Sequence, residues 1–204
     1  MVNYLKVQDI LEWDSVDEII IDKFCWDYDF RPLSKAKLCL IKNQGICVKM
    51  WSYEDNPVSI YLKDNENVYQ DSCLEFFFNA FPQESDVYMN FEINHLGTLL
   101  IQYGADRADR RFVSTLNMTY PKVITFNGID DLGDFWGIEY MIPLELLEVI
   151  YGKSDILPEQ IIKAALYKCG DKTGRAHYGS WQVIGTENPD FHCPEFFGEL
   201  VVRE

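Results

Sequence analysis

Two short segments of the chain, LEFFFN and NFEIN, carry polar side chains at alternate positions. In an extended strand, successive side chains point to opposite faces. Leu74 and Phe76 therefore share one face while Glu75 lies on the other, and in the second segment Phe91 opposes Glu92. The segments predict two β-strands that bury one face and turn carboxylates and amides away from the core, where these groups could accept protons or hydrogen bonds.

The two predicted strands are close enough in sequence to form a hairpin that turns near Gln83 and Glu84. This register places Glu75 directly opposite Glu92, with Cβ atoms about 4.5 to 5.5 Å apart. Two carboxylates at such a distance repel each other unless a metal, a proton, an arginine or a ligand hydroxyl intervenes. The hairpin therefore predicts a site for one of these partners.

Arginines for such a pairing occur in the charged run GADRADRR. Arg107, Arg110 or Arg111 could form a salt bridge with one of the glutamates. The simpler interpretation of the run is a solvated loop.

The elements that must hold these side chains are short alternating runs separated by turn residues, which are typical of antiparallel β proteins. The pattern predicts an all-β fold, an antiparallel two-sheet sandwich that is jelly-roll-like and has one or two short helices. One helix is predicted from Pro143 to a stop at Gly152, and a second helical turn at residues 158–160. Beyond the hairpin, the predicted strands are AKLCLIK, GICVKMWSY, VSIYLK, RFVSTLNM, KVITFNG, FWGIEYMI, residues 161–168 and FGELVVR.

Composition limits the possible partners. The 204 residues carry a formal net charge of -15, which argues against nucleic acid or an anionic membrane as a partner. The N-terminus lacks the pattern of a secretory signal, and no apolar run approaches a membrane span. We therefore expect a single domain over residues 1–204 with a cytoplasmic location.

The six cysteines are scattered and form no CxxC pair. In a chain of this length they predict reduced thiols, most of them in the core, and they argue against a zinc site. No GxSxG, P-loop, GxGxxG or HExxH motif occurs in the sequence. The common hydrolase, nucleotidase and dehydrogenase mechanisms therefore lack support.

Four segments taken together resemble one family: YQDSCLEFF, YMNFEINHLG, YKCGDKTGRAHYGSWQVIG and NPDFHCPEFFGEL. From Trp13 to Leu200 the chain is similar to the family 9-like carbohydrate-binding modules, β-sandwich domains related to the family 9 modules of xylanases. The resemblance implies a jelly-roll-like sandwich that binds a mono- or oligosaccharide without hydrolysing it. It also implies a link to carbohydrate catabolism.

In the family, a sugar lies between two aromatic side chains above polar groups that contact its hydroxyls. The resemblance implies that Tyr69 is the first aromatic and that Glu75 accepts hydrogen bonds from hydroxyls. For the second aromatic, both Trp181 and the pair Phe191 and His192 lie in the expected region, with Trp181 preferred. The complete predicted sugar-binding set is Tyr69, Glu75, Asn90, Glu92, Trp181, Phe191 and His192.

The chain departs from the family pattern at two positions. Tyr69 stands where the family has a tryptophan, and the arginine expected on the following strand has no counterpart among Asn90, Glu92 and Asn94. No cofactor and no catalytic residue are implied. Structural calcium is one possible addition, since the loops DNEN (64–67) and DDLGD (130–134) are rich in oxygen ligands.

Two other functions stay open at this point. The first is a glycoside hydrolase that uses Glu75 and Glu92 as its carboxyl pair. The second is a protein-interaction domain without a small ligand, for which the sequence does not identify a partner.

Overall fold

The computed structural model describes residues 3–204. Its strands are β1 (Asn3–Gln8), β2 (Ile19–Ile21), β3 (Ser34–Ile41), β4 (Gly45–Ser52), β5 (Cys73–Asn79), β6 (Tyr88–Asn94), β7 (Leu99–Gly104), β8 (Arg111–Phe112), β9 (Ile124–Asp130), β10 (Gly133–Pro143), β11 (Ile161–Cys169), β12 (Tyr178–Ser180) and β13 (Gly198–Arg203). The α-helix α1 covers Leu144–Tyr151. Short 3-10 helices cover Trp13–Ser15, Val68–Gln70, Val113–Thr115 and Pro194–Phe196.

The strands form one curled sheet of mixed pairing. Their order along the sheet is β8-β7-β6-β5-β11-β13-β1-β3-β4-β10-β9, with β12 paired to β11 and β2 to β3. The front layer consists of β8, β7, β6, β5, β11 and β13, and the back layer consists of β1, β3, β4, β10 and β9. The predicted two-sheet sandwich is confirmed, but its pairing is mixed because β1 runs parallel to both β13 and β3.

The main core lies between the two layers. Strand alternation supplies it from the front layer with Phe76, Phe78 and Phe91, all buried. The ring of Phe91 stacks on that of Tyr140 from the back layer, with centroids 5.6 Å apart. Burial of such aromatic and aliphatic area is the main force that holds the layers together.

A second apolar cluster covers the outward face of the front layer. It contains Phe77 from β5 and Tyr167 from β11, together with Trp26 and Phe197 from the segments that fold over them. The indole Nε1–H of Trp26 donates a hydrogen bond to the carbonyl oxygen of Thr186 at 3.0 Å. Both faces of β5 are therefore buried, which explains why five of its seven residues are apolar.

Most predicted elements are confirmed. AKLCLIK, GICVKMWSY, KVITFNG, FWGIEYMI, residues 161–168 and FGELVVR correspond to β3, β4, β9, β10, β11 and β13. The predicted helix is α1, which ends at Gly152 in the left-handed conformation, with φ of 72°. No helix within residues 3–204 is long and apolar enough to cross a membrane.

The strand predicted at VSIYLK is wrong. Its backbone amides donate to side chains instead of to a neighbouring strand: Val58 to Ser72 Oγ at 2.9 Å, and Ile60 and Tyr61 to the carboxylate of Asp71 at 3.1 and 3.2 Å. A loop can therefore satisfy these donors without joining the sheet.

Two other predicted elements are shorter than expected. RFVSTLNM holds only the two residues of β8 before the chain turns into the 3-10 helix Val113–Thr115. The predicted second helical turn is a single hydrogen-bonded turn, in which Gln160 N–H donates to the carbonyl oxygen of Leu157.

A charged pair inside the core connects the layers at one end of the sandwich. Lys168 of β11 is fully buried, and its ammonium lies 3.1 Å from Glu54 Oε2. The same carboxylate accepts hydrogen bonds from Trp136 Nε1–H at 3.1 Å and from Ser72 Oγ–H at 2.9 Å. Lys168 also donates to His177 Nε2 at 2.6 Å. Every member of this network thus has a partner, as a buried charge requires.

The variant Glu54→Gln should lower the free energy of unfolding by about 3 kcal/mol, because it leaves the Lys168 ammonium buried without a counter-charge. Urea denaturation followed by circular dichroism measures the loss. Glu199→Gln is the control, because it removes a partner at 2.9 Å from the half-exposed Lys163 on the same strand. The control should lose less than about 1 kcal/mol, and equal losses in the two variants would contradict this account of the buried pair.

Candidate functional site

A pocket of about 370 Å³ opens on the outward face of the front layer. Its floor is formed by side chains of β5, β6, β7 and β11, and its walls by the segments around residues 65–69, 107–112 and 189–192. The polar side chains in the pocket are Asn65, Asn67, Glu75, Glu92, Gln102, Arg107, Arg110, Asp171, Asp190 and His192.

The predicted opposition of Glu75 and Glu92 on the floor is confirmed. The register of β5 and β6 pairs Glu75 with Glu92 and Phe77 with Asn90. Both residues are almost fully buried, with 2% of the surface of Glu75 and 3% of that of Glu92 exposed. The hairpin forms this register because its strands follow each other closely in sequence and each has one face fixed by the core.

Glu75 shares its environment with a cysteine. Cys169 Sγ–H donates a hydrogen bond to Glu75 Oε1 at 2.8 Å and lies 3.2 Å from the carbonyl oxygen of Tyr69. Burial, reinforced by Cys169 and by the charge of Glu92, raises the pKa of Glu75 well above its usual value. The floor therefore favours a protonated carboxyl at this position.

Glu92 is held by amide and guanidinium groups. Asn90 Nδ2–H donates to Glu92 Oε1 at 2.8 Å, and Arg110 donates to Asn90 Oδ1. The second carboxylate oxygen, Oε2, is buried and has no hydrogen-bond partner. Burial raises the pKa of Glu92 to about 7, while Asn90 and Arg110 act in the opposite direction. The group can therefore change its charge near neutral pH.

The charged run GADRADRR is a largely exposed loop, as interpreted from the sequence, and two of its arginines also line the pocket. The Arg110 guanidinium lies 4.0 Å from the ring centroid of Tyr88 and donates to the carbonyl oxygen of Gly104 at 2.8 Å. Arg107 pairs with Asp190 at 3.0 Å and also lines the pocket. The predicted salt bridge to a glutamate takes an indirect form, since Arg110 reaches Glu92 through Asn90.

Three half-buried aromatic side chains, Tyr69, Tyr178 and Phe191, line the pocket. One face of Phe191 is covered by the buried ring of Tyr167, which is parallel to it with centroids 4.0 Å apart. Tyr69 belongs to the 3-10 helix that precedes β5. The remaining surfaces of these rings provide the apolar part of the walls.

The structure brings five of the seven predicted residues to the pocket: Tyr69, Glu75, Glu92, Phe191 and His192. Asn90 is fully buried behind Glu92 and supports its carboxylate. Trp181 lies outside the pocket, because it is only 7% exposed and packs in the main core. The preference for Trp181 as the second aromatic wall is therefore not supported by its position, whereas Phe191 lies in the wall.

The histidines have separate surroundings. Tyr88 Oη and His192 Nδ1 are 2.9 Å apart, and burial together with Arg110 lowers the pKa of His192 to about 4. His177 belongs to the buried network of Lys168, and His95 contacts Ser59 at 2.6 Å. His192 is therefore the one among the three that lines the pocket.

Sequence reasoning missed several polar residues of the pocket. Gln102 lies on β7, which was not predicted as a strand, and Asp171 lies two residues beyond the end of β11. Burial raises the pKa of Asp171. The alternation of LLIQYG, with Leu100 and Gln102 on one face, was the signal that could have identified β7.

The two acidic loops use their oxygens within the chain. Asp64 Oδ1 accepts a hydrogen bond from Leu99 N–H, and Glu66 Oε2 accepts one from Lys63 N–H. In the second loop, Asp130 Oδ2 accepts one from Tyr53 Oη–H at 2.6 Å. Calcium binding at these loops stays a prediction.

Comparison with protein families gives one match that covers nearly the whole chain. The family model described as carbohydrate-binding family 9 matches residues 5–202. A search of curated proteins gives no significant match.

Solved structures show the same fold. A Bacteroides uniformis protein, provisionally described as carbohydrate-binding, is 28% identical, with a TM-score of 0.79 over 98% of this chain and 99% of that one. A family 9 module from Caldicellulosiruptor kristjanssonii in complex with cellotriose is 12% identical, with a TM-score of 0.62 over 100% and 94%. The glucose complex from the same organism is 12% identical, with a TM-score of 0.59 over 99% and 94%.

Proposed function

The chain belongs to carbohydrate-binding family 9, and we propose from this that the pocket on the front layer binds a sugar ring without hydrolysing it. The pocket volume of about 370 Å³ lies at the lower end of the range of about 300 to 1,000 Å³ for small-molecule sites. One or two sugar rings therefore match its size.

The observation that carries the proposal is the second carboxylate oxygen of Glu92. This atom is buried and without a partner, although Glu92 lines the pocket. A buried acceptor of this kind costs free energy unless a donor reaches it. A small rotation of the carboxylate toward the pocket would let a sugar hydroxyl supply that donor through a charge-assisted hydrogen bond. Glu75 lies directly opposite and provides a second group for a neighbouring hydroxyl.

The aromatic walls of the pocket can pack against the apolar C–H face of a sugar ring. Tyr69 and Phe191 are half-buried and line the pocket, so each offers ring surface to a ligand. We assign Phe191 as the second wall in place of Trp181. Because the ring of Phe191 is already fixed against Tyr167, its orientation would cost little entropy on binding.

The charges of the pocket favour an uncharged sugar. Glu75, Glu92 and Asp171 stand against the guanidinium groups of Arg107 and Arg110, and Arg107 already pairs with Asp190. The Arg110 guanidinium already donates to the carbonyl oxygens of Gly104, Tyr88 and Gln102 and to Asn90 Oδ1, and an anionic sugar would also meet the carboxyl groups of Glu92, Asp171 and Asp190. Neutral hexoses and pentoses avoid the repulsion.

Glycoside hydrolysis is the second candidate, favoured by two opposed, buried carboxyl groups whose pKa values are raised. A hydrolytic pair must flank the scissile bond, so that one group protonates the leaving oxygen and the other acts on the sugar carbon. Glu75 and Glu92 instead rise side by side from one sheet face. This arrangement places both groups on the same side of a ligand, where they can hydrogen-bond to two adjacent hydroxyl groups.

Phe191→Ala and Tyr69→Ala should each weaken sugar binding by at least about tenfold, because each removes the ring on which a pyranose face packs. Isothermal titration calorimetry with glucose, xylose, cellobiose and cellotriose measures the affinities. Tyr4→Ala is the matched control, since Tyr4 is a 40% exposed aromatic residue on β1 outside the pocket. A folded wild-type protein that gives no heat with any of these sugars would remove the proposal.

Sugar affinity should fall by up to about tenfold when the pH is lowered from about 8 to about 6, since Glu92 has a pKa of about 7 in the protein without ligand. Above this pKa the carboxylate is ready to accept hydroxyl hydrogen bonds, and below it the ligand must compete with a proton. Titrations at three pH values measure the slope. Glu92→Gln should bind more weakly and without this slope, and an unchanged pH dependence in the variant would assign the effect to another group.

Nitrophenyl glycosides of glucose, xylose and galactose should remain intact in the presence of the protein. Release of nitrophenol followed by absorbance is the measurement. Turnover that disappears in Glu75→Gln while sugar binding persists would establish hydrolysis in place of binding alone.

A further inference from the structure

Three potential metal ligands meet beside the pocket floor. Cys73 and Cys169 stand directly opposite each other on β5 and β11. Glu75 lies two residues after Cys73, and therefore on the same face of β5. The two sulfur atoms and a carboxylate oxygen of Glu75 all lie within 4.8 Å of one another. Strand register, and not proximity in sequence, thus brings the three side chains together.

The distances suit a small cation with tetrahedral coordination. Zinc binds thiolate sulfur at about 2.3 Å and carboxylate oxygen at about 2.0 to 2.2 Å, so that ligand atoms around it are roughly 3.5 to 4 Å apart. Side-chain rotations could draw the three atoms of the cluster to these distances. The donor set also selects the metal, because thiolates favour zinc over the hard cations calcium and magnesium.

Two of the three candidate ligands border the pocket. Cys73, Glu75 and Cys169 are 0%, 2% and 2% exposed, yet Glu75 and Cys169 both contribute to the surface of the pocket. Three protein ligands with a fourth position open to solvent form the arrangement of reactive zinc sites, as distinct from closed structural ones.

The electrostatic environment attracts a cation. Glu92 stands directly opposite Glu75 across β5 and β6, and both Glu92 and Asp171 line the same pocket. A divalent cation at the cluster would offset the repulsion among these carboxyl groups.

We propose that Cys73, Glu75 and Cys169 form a zinc-binding site whose fourth coordination position opens into the pocket. Zinc replaces the two thiol protons and any proton on Glu75, and these pass to solvent, so the sulfur atoms keep their oxidation state. The site shares Glu75 with the proposed sugar pocket, but metal ligation does not require a sugar, and the experiment that tests it uses the metal alone.

Cobalt(II) is the probe, because a tetrahedral cobalt site with thiolate ligands has visible d–d bands and a thiolate-to-metal charge-transfer band. The full chain, freed of metal with a chelator and kept reduced with a phosphine, should develop both bands at a single equivalent of cobalt. A single equivalent of zinc should abolish them. Absence of the charge-transfer band in the folded wild-type protein would overturn the proposal.

Variants locate the ligands. Cys73→Ser and Cys169→Ser should each lose at least about half of the charge-transfer intensity, because each removes one of the two thiolates, and Glu75→Gln should weaken zinc binding by at least about tenfold because it removes a charged ligand. Cys39→Ser is the matched control, since Cys39 faces Cys47 across β3 and β4 in the same opposed arrangement but belongs to no cluster of three ligands among the described residues. The control should keep the wild-type spectrum. A band that keeps its full wild-type intensity in both Cys73→Ser and Cys169→Ser would overturn the assignment, and circular dichroism checks the fold of each variant.

Discussion

The position of β5 between β6 and β11 is the constraint on which the rest of the structure depends. Both neighbours run antiparallel to it, so each side chain on its outward face has a directly opposed residue on either side. Glu75 stands between Glu92 and Tyr167, and Cys73 stands opposite Cys169. A shift by one residue would exchange the two faces and bury these polar groups among the phenylalanines of the core. The packing of the core therefore fixes the chemistry of the pocket.

Opposed carboxyl groups in a buried setting must differ from each other, because two adjacent negative charges are costly in a poorly solvated site. The neighbours of each group give the two carboxyl groups different tendencies to ionise. Glu75 lies against the thiol of Cys169 and favours the protonated form, whereas Glu92 receives a hydrogen bond from Asn90 and the more distant charge of Arg110. The loop that supplies Arg110 thus lets one of the two carboxyl groups ionise near neutral pH.

The parts of the fold and site that could be predicted from sequence are those that depend on neighbouring residues. Alternation and a short turn were sufficient to place Glu75 opposite Glu92. The strand predicted at VSIYLK failed because Asp71 and Ser72 satisfy its amides, and alternation does not reveal side-chain acceptors. Local pattern also could not decide whether Trp181 or Phe191 forms the second aromatic wall, because both are large aromatic residues. The long-range path of the chain buries Trp181 and leaves Phe191 half-exposed.

The end of β11 connects the pocket to the core of the sandwich. Tyr167 and Cys169 face the pocket side, while the residue between them, Lys168, points inward to Glu54 and Trp136. Because Lys168 pairs with a carboxylate that also bonds to the back layer, a buried ion pair connects the end of β11 at the pocket floor to the back layer. Tyr167 in turn supports the ring of Phe191. The floor and one wall are therefore in place before a ligand binds. A preformed site of this kind loses little conformational entropy on binding.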